Sequence, residues 1–424
     1  MISTGLRQNT AFISLAGGNF VSLVGSQGFF VASTYWVAAT FDSASLAGMF
    51  MLLSMIPAVL VGPFAGVYVD RNCKRQVIVR AQLICFSISL LASAFFFLSA
   101  SNAGLLLYVI FVANFLLSLV KSFSNPAYLS VVPDIVDEAD LLEANGLMRT
   151  AGKLSDMIGK AAGGVVYKTL GPAFLFFADS ISYLISAYYA RVLPRKIPAQ
   201  GSAGNDSRSL VGGYLSGIKE GLSYIHRYRG MKHFFVFALV INILSTPIFV
   251  LLPFHVEKYL DGGPEWYGFI YGALGAGAVI GHYLTSRLQR TGIRQDKALV
   301  LSVVSMCFSF LLFSLAEVKI LSLAFMLIAG IFNGIFSVHV VTLIQRSTTP
   351  VNRGTVFSTF GALSGAILPF AYAISGLLGD LADKNTGMIF IIASILMTLV
   401  AVLMSLTSSF RSFLSSSAEN PGPS

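Results

Sequence analysis

Lys153, Asp156 and Lys160 stand three and four residues apart, a spacing that puts side chains on one face of an α-helix. They lie in an otherwise apolar stretch, and a charge at the centre of a bilayer costs at least ~2.5–3.5 kcal/mol. Such residues must face a protein interior or water, where they can pair, bind a charged solute or carry a proton. Lys121 stands at a similar depth in the preceding apolar stretch, counted at ~1.5 Å per helical residue. Three lysines against one aspartate leave a surplus of positive charge, which an anionic solute with several carboxylates would neutralise. The structural alternative is that Asp156 pairs with one lysine while the others reach for the interfaces, as Lys160 can in part. Proton coupling needs a group that titrates within the membrane, and Asp156, Asp179 and His339 are the candidates. Asp179 can instead bond neighbouring hydroxyls such as Ser180 or Ser182, and His339 can be a hydrogen-bonded packing residue. Gln27, Asn114, Asn242 and Asn333 supply neutral donors and acceptors that either line a path or join helices. Tyr35, Trp36, Phe235 and Phe249 stack a large solute or simply pack.

The elements that hold these residues are membrane spans. Of 424 residues, 55% are hydrophobic and only 11% charged, whereas a soluble domain carries about 25% charged residues. A bilayer core about 30 Å thick takes ~20 apolar helical residues. Apolar segments fall near 11–37, 44–66, 77–99, 104–128, 146–167, 170–191, 233–256, 266–286, 297–316, 320–343, 355–379 and 386–408. The expected fold is therefore an all-α polytopic membrane protein of twelve transmembrane helices. With the N-terminus inside, 21 of the 28 Lys and Arg residues fall in loops, tails or helix ends on one side. Only Lys168, Lys258, Lys319 and Lys384 fall on the other, so the positive-inside rule places both termini in the cytosol.

A polar interval, Pro194 to Lys232, splits the chain into six-helix bundles over 1–192 and 233–410, with a tail, 411–424, of disordered composition. Within the linker 193–232, Leu210, Tyr214, Leu215, Ile218, Leu222 and Ile225 recur at helical spacing, which predicts an amphipathic interfacial helix. The net charge of +9 is spread through short loops rather than along one face, so nucleic acid is not an expected partner. Cys73, Cys85 and Cys307 have neither metal-ligand nor disulfide spacing, and no metal or cofactor is expected. Met1 to Thr10 is too short and polar for a cleaved signal. The five histidines, His226, His233, His255, His282 and His339, are scattered, and no metalloprotease, nucleophile-elbow or phosphate-loop pattern occurs. A membrane enzyme would need such a constellation.

Between the second and third segments lies GVYVDRNCKR, with Gly66, Asp70, Arg71, Lys74 and Arg75. This pattern resembles the loop signature of the major facilitator superfamily, with Cys73 where a glycine is usual. A degenerate echo, GHYLTSRLQR, follows the eighth segment: Gly281 answers Gly66, Thr285 replaces Asp70 and Arg290 answers Arg75. Two such halves imply two bundles flanking a central path, and the resemblance implies a small-solute carrier acting as a monomer. In that family the loop latches the halves on the cytoplasmic side, a role suited to a carboxylate stabilised only while its partners are near. Asn125 to Leu147, Phe176 to Ala187 and TPVNRGT are similar to the bacterial efflux branch that includes macrolide and enterobactin exporters. That likeness implies an inner-membrane exporter and leaves the cargo open; the lysine surplus makes an anionic, carboxylate-type siderophore the sharpest candidate, with proton exchange as the expected drive. A multidrug or macrolide pump and an organic-anion importer are the alternatives. Gly152, Gly159 and Gly163 fall within about 40° on a helical wheel and predict a smooth packing face. They resemble the antiporter motif of the family, although Lys160 stands where that motif has proline.

Overall fold

The computed structural model describes residues 4–99, 101–194, 219–227, 229–288 and 295–407. Among them there are helices and turns but no strand, as lipid demands of apolar spans that must satisfy their own backbone N–H and C=O groups. A short α1 (Thr4–Gln8) precedes α2 (Thr10–Phe41), α3 (Ala44–Arg71), α4 (Lys74–Leu98) and α5 (Ala103–Ile135). Then come α6 (Leu141–Ala190), α7 (219–227), α8 (Arg229–Val250), α9 (Leu252–Lys258) and α10 (Pro264–Leu288). The chain closes with α11 (Gln295–Leu315), α12 (Lys319–Arg346), α13 (Pro350–Leu381) and α14 (Thr386–Leu406). Ten helical stretches among the described residues are long and apolar enough to cross a membrane.

α6 is one 50-residue stretch made of two limbs. Gly171 has φ 81° and ψ 172°, a backbone open to glycine and strained for other residues. Pro172 follows, with no N–H to continue the ladder. At the start of α2, Asn9 Oδ1 accepts from the Phe12 amide at 3.0 Å, while its Nδ2 donates to the Ile135 carbonyl at 2.6 Å. One side chain thus caps α2 and ties it to the end of α5.

The helices cluster into two compact units. The first takes most of the N-terminal half together with Gly263–Gly272, and the second takes most of the C-terminal half together with Ser43–Leu52. In the first, α6 lies almost backbone to backbone on α2. A Cβ on Gly159 would stand 2.5 Å from the Val24 carbonyl oxygen, and one on Gly163 would stand 2.8 Å from Gly28 Cα. Gly152, expected on the same packed face, meets nothing within 4 Å. The close approach ends near Ser155, whose hydroxyl reaches the Phe20 carbonyl at 3.2 Å. Gly159→Ala should therefore destabilise the protein by about 2 kcal/mol through overpacking, seen as a lower thermal midpoint of the detergent-purified protein. An unchanged midpoint would show that the two helices separate without cost.

In the second unit, Asp380 at the end of α13 caps α3. Its Oδ1 accepts from the Ala44 amide at 2.8 Å, and Oδ2 accepts from the Ser45 amide at 2.8 Å and the Ser43 hydroxyl at 3.1 Å. Two of the orphan amides at a helix start, and the hydroxyl beside them, are met by one carboxylate. His255 is fully buried between Tyr259, Phe313 and Phe390, and its Nδ1 bonds Thr386 Oγ1 at 2.9 Å. α7 seats Gly221 against Thr359, with Ile225 buried and Leu222 exposed. Leu210, Tyr214, Leu215 and Ile218 lie outside the described residues.

Candidate functional site

In the first unit, α2 and α5 bring three of the expected path residues to one cavity. Gln27, Asn114 and Lys121 line a space of about 220 Å³ together with Ser26, Ser54, Ser118 and Ser122. Phe29, Phe30 and Leu117 supply apolar walls, and no carboxylate among the described residues lines the cavity. A concave site with mixed apolar walls and a few polar groups is the usual form of a small-molecule site. Lys121 Nζ sits 5.6 Å over the Tyr183 ring, a cation–π placement that holds the ammonium away from lipid. The Tyr183 hydroxyl in turn shares a hydrogen bond with Ser26 Oγ at 2.9 Å.

Asp179 lies fully buried close behind this wall. Ser89 Oγ from α4 donates to its Oδ2 at 2.8 Å, while Oδ1 has no hydrogen-bond partner among the described residues. Gly25 makes room for it, since a Cβ there would stand 2.9 Å from Oδ1. The hydroxyls expected to serve Asp179 bond main-chain oxygens instead: Ser180 donates to Phe177 O at 2.6 Å and Ser182 to Asp179 O at 2.7 Å. Both are near in sequence, but helix geometry turns them onto the preceding turn.

The charged stripe of α6 resolves into a pair and an outlier. Lys160 Nζ meets Asp156 Oδ1 at 2.8 Å and lies 3.9 Å over the Tyr271 ring. Burial of that ammonium is offset by the carboxylate and the ring together. Lys153 is exposed on another part of the helix, so Lys121 is the lysine of this set that reaches the cavity.

In the second unit two of the expected polar residues bond their own helices and the third reaches a neighbouring one. Asn242 Nδ2 donates to Ala238 O at 2.7 Å, and His339 Nδ1 bonds Ile335 O at 2.8 Å. Asn333 Nδ2 is 3.6 Å from Met306 sulfur. None of the three lines the cavity. The aromatic candidates pack: Tyr35 on Tyr167, Trp36 on Phe96 and Phe235 on Phe360, with ring centroids 5.4, 5.0 and 5.0 Å apart.

The loop set Gly66, Asp70, Arg71, Lys74 and Arg75 does not gather into one cluster of contacts. Lys74 Nζ meets Asp134 Oδ2 at 2.5 Å and donates to Ser130 O at 2.9 Å, fixing the start of α4 to the end of α5. Arg75 lines a second cavity with Arg80 and Arg191. Asp70 is exposed in the last turn of α3, and no side-chain partner for it occurs among the described residues. In the echo, Thr285 is buried and bonded to its own Gly281 carbonyl at 2.8 Å, while Arg290 lies outside the described residues.

Sequence reasoning passed over Ser26, Ser89, Ser118, Ser122 and Tyr183. A signal was there on α5: Asn114, Ser118, Lys121, Ser122 and Asn125 recur at spacings of three and four, a polar stripe on one helical face.

A polar cavity walled by apolar spanning helices defines a carrier of small solutes. The chain belongs to the transmembrane secretion effector family of the major facilitator superfamily, which matches residues 4–418. It is a multi-span membrane transporter and not an enzyme. Macrolide efflux protein A of Streptococcus pyogenes is 22% identical over 404 residues, covering 94% of this chain and 96% of that protein. BacE of Bacillus amyloliquefaciens, a candidate bacilysin exporter, is 24% identical over 335 residues, covering 78% of each chain. Among solved structures, a bacterial homologue of the iron transporter ferroportin superposes with a TM-score of 0.72 at 16% identity, covering 96% of this chain and 100% of that one. At that identity the likeness concerns the fold.

Proposed function

We propose that this transporter is a secondary active exporter of a small anionic organic solute, working by alternating access and exchanging its cargo for protons. The cavity lined by Gln27, Asn114 and Lys121, with a cation and, among the described residues, no carboxylate, carries the reading. A solute carboxylate there would gain a charge-assisted contact with Lys121 and neutral partners at Gln27 and Asn114. A carboxylate-type siderophore fits that chemistry. Asp179 is the proton carrier in this scheme, a carboxyl behind the cavity wall with one oxygen unpartnered among the described residues. Asp156, bonded to Lys160, is the less suited of the two acids, and His339 is held by its own helix. Export is the direction suggested by the efflux relatives. This reading takes twelve spans, adding α10 to the ten apolar stretches and counting the limbs of α6 separately. That even number leaves both termini on the cytoplasmic side of the inner membrane, as the loop charges require, and the chain acts as a monomer of two six-helix bundles joined by the linker.

Asp70 is the conformational latch of this cycle. A carboxylate in the last turn of a helix sits at the unfavourable end of the dipole, so it gains from partners that another state of the cycle brings near. Asp70→Asn should lower the transport rate severalfold with normal membrane insertion, read as initial rates in vesicles. A wild-type rate would reduce the loop to a topological signal.

The function itself is tested in inside-out vesicles with an imposed interior-acid gradient. A citrate-based siderophore should accumulate only while the gradient stands, and a protonophore should abolish it. Gradient-independent accumulation would overturn the proton coupling. The second reading, a macrolide or multidrug pump, is favoured by the match to macrolide efflux protein A along nearly its whole length. Accumulation of a macrolide without the siderophore would select it, and net movement of the anion in the opposite direction would mark an importer.

A further inference from the structure

The second cavity, of about 530 Å³, lies within the first unit where α4 begins and α6 ends. Arg75, Arg80 and Arg191 line it with Gln76, Val79 and Cys73, and among the described residues no acidic side chain does. Among the described residues none of these three arginine side chains forms an ion pair or a hydrogen bond. Three unpartnered guanidinium groups around one hollow repel each other and favour an anion that can accept several N–H donors at once. Phosphate oxygens match that fork geometry.

The surroundings say which phosphate. On α4, Arg80, Ile84, Ser87, Leu91 and Leu98 fall within about 60° of one another at ~100° per residue, and all five are exposed. On α6 and its C-cap, Phe177, Leu184, Tyr188 and Arg191 form a matching exposed stripe. Leu91 is 61% exposed and Tyr188 69%, as expected of side chains that face acyl chains. The two helices are neighbours, for Ser89 Oγ donates to Phe176 O at 3.0 Å and Ser93 Oγ to Ala173 O at 2.9 Å. An arginine therefore stands at the same end of each lipid-facing stripe, with the hollow between them. A free phosphate would use the hollow and leave the stripes idle, whereas a phospholipid would fill both.

We propose that this cavity binds the phosphate headgroup of an anionic phospholipid, with its acyl chains laid along the outward faces of α4 and α6. Basic pockets between spanning helices on the cytoplasmic side suit such headgroups, and the leaflet follows from the orientation given above. The site depends on the chain crossing a membrane, not on its cargo or direction, so transport results leave it untouched.

Native mass spectrometry of the full-length detergent-purified protein tests the site. The wild type should retain phosphatidylglycerol well beyond phosphatidylcholine of identical chains, and millimolar inorganic phosphate should not displace it. In the Arg80→Gln/Arg191→Gln variant that preference should fall about tenfold or more, since two charge-assisted contacts are lost. An Arg80→Lys/Arg191→Lys variant should keep charge and part of the preference. Equal retention of the two lipids by the wild type overturns the proposal, as does a full preference in the glutamine variant. Displacement by inorganic phosphate overturns it too, assigning the hollow to a free anion. If the glutamine variant does not fold, the wild-type comparison of headgroups still decides.

Discussion

Lys121→Gln should lower the affinity of the transporter for an anionic cargo about thirtyfold while leaving the protein folded and inserted. The estimate comes from one charge-assisted hydrogen bond, worth about 2 kcal/mol when its charged partner is removed. Glutamine keeps much of the length of the side chain and a donor, so the cavity walls stay in place. Its loss of charge acts on a site with no other cation among the described lining residues. The cation–π contact with Tyr183 also disappears, but that ring is already held by the Ser26 hydroxyl. Concentration dependence of uptake into inside-out vesicles measures the change. A neutral cargo should be exported by the variant as well as by the wild type. An unaltered half-saturation for the anionic cargo would place its charge elsewhere.

Asp179→Asn should have the other large effect, removing the response of transport to a proton gradient. The amide is close to isosteric with the carboxyl and can still accept from Ser89, so the bond at Oδ2 survives the change. An amide cannot exchange a proton in this range. Export under an imposed gradient should fall to the level seen when the gradient is collapsed, while exchange of internal for external cargo persists at equilibrium. That split separates a coupling defect from a folding defect, which would abolish both. Full gradient dependence in Asp179→Asn would move the proton site to another acid.

Much of this architecture was legible in the chain because lipid imposes simple rules. Long apolar runs must be helices, and their positions on α2 to α5 and α11 to α14 agree with the sequence segments to within several residues. The spacing of Lys153, Asp156 and Lys160 allowed a pair between Asp156 and either lysine, and the structure makes it with Lys160. Convergence in space was harder to read. Gln27 lies on α2 and Asn114 and Lys121 lie on α5, and only packing decides that they share a hollow while Asn242 and His339 bond their own turns. Asn and His offer donors that a carbonyl four residues back satisfies equally well, so sequence alone could not separate path from packing. Lys153 shows the same limit: helical spacing put it beside Asp156, yet the pairing went to Lys160. The partner of Asp179 was also out of reach of local reasoning, since Ser89 is 90 residues away. Gly152 fits the wheel as well as Gly159, but a wheel does not show where two helices part.

The cap on α3 bears on how the protein is made. Asp380 lies 336 residues beyond Ala44, whose amide it accepts. During synthesis the first turn of α3 enters the membrane long before its cap has left the ribosome. Until α13 arrives, the amides of Ala44 and Ser45 must find temporary partners in headgroups or water. Chains cut short of Asp380 would keep that frayed end permanently, and quality-control proteases would meet it there. The last third of the chain thus completes a helix begun in its first eighth.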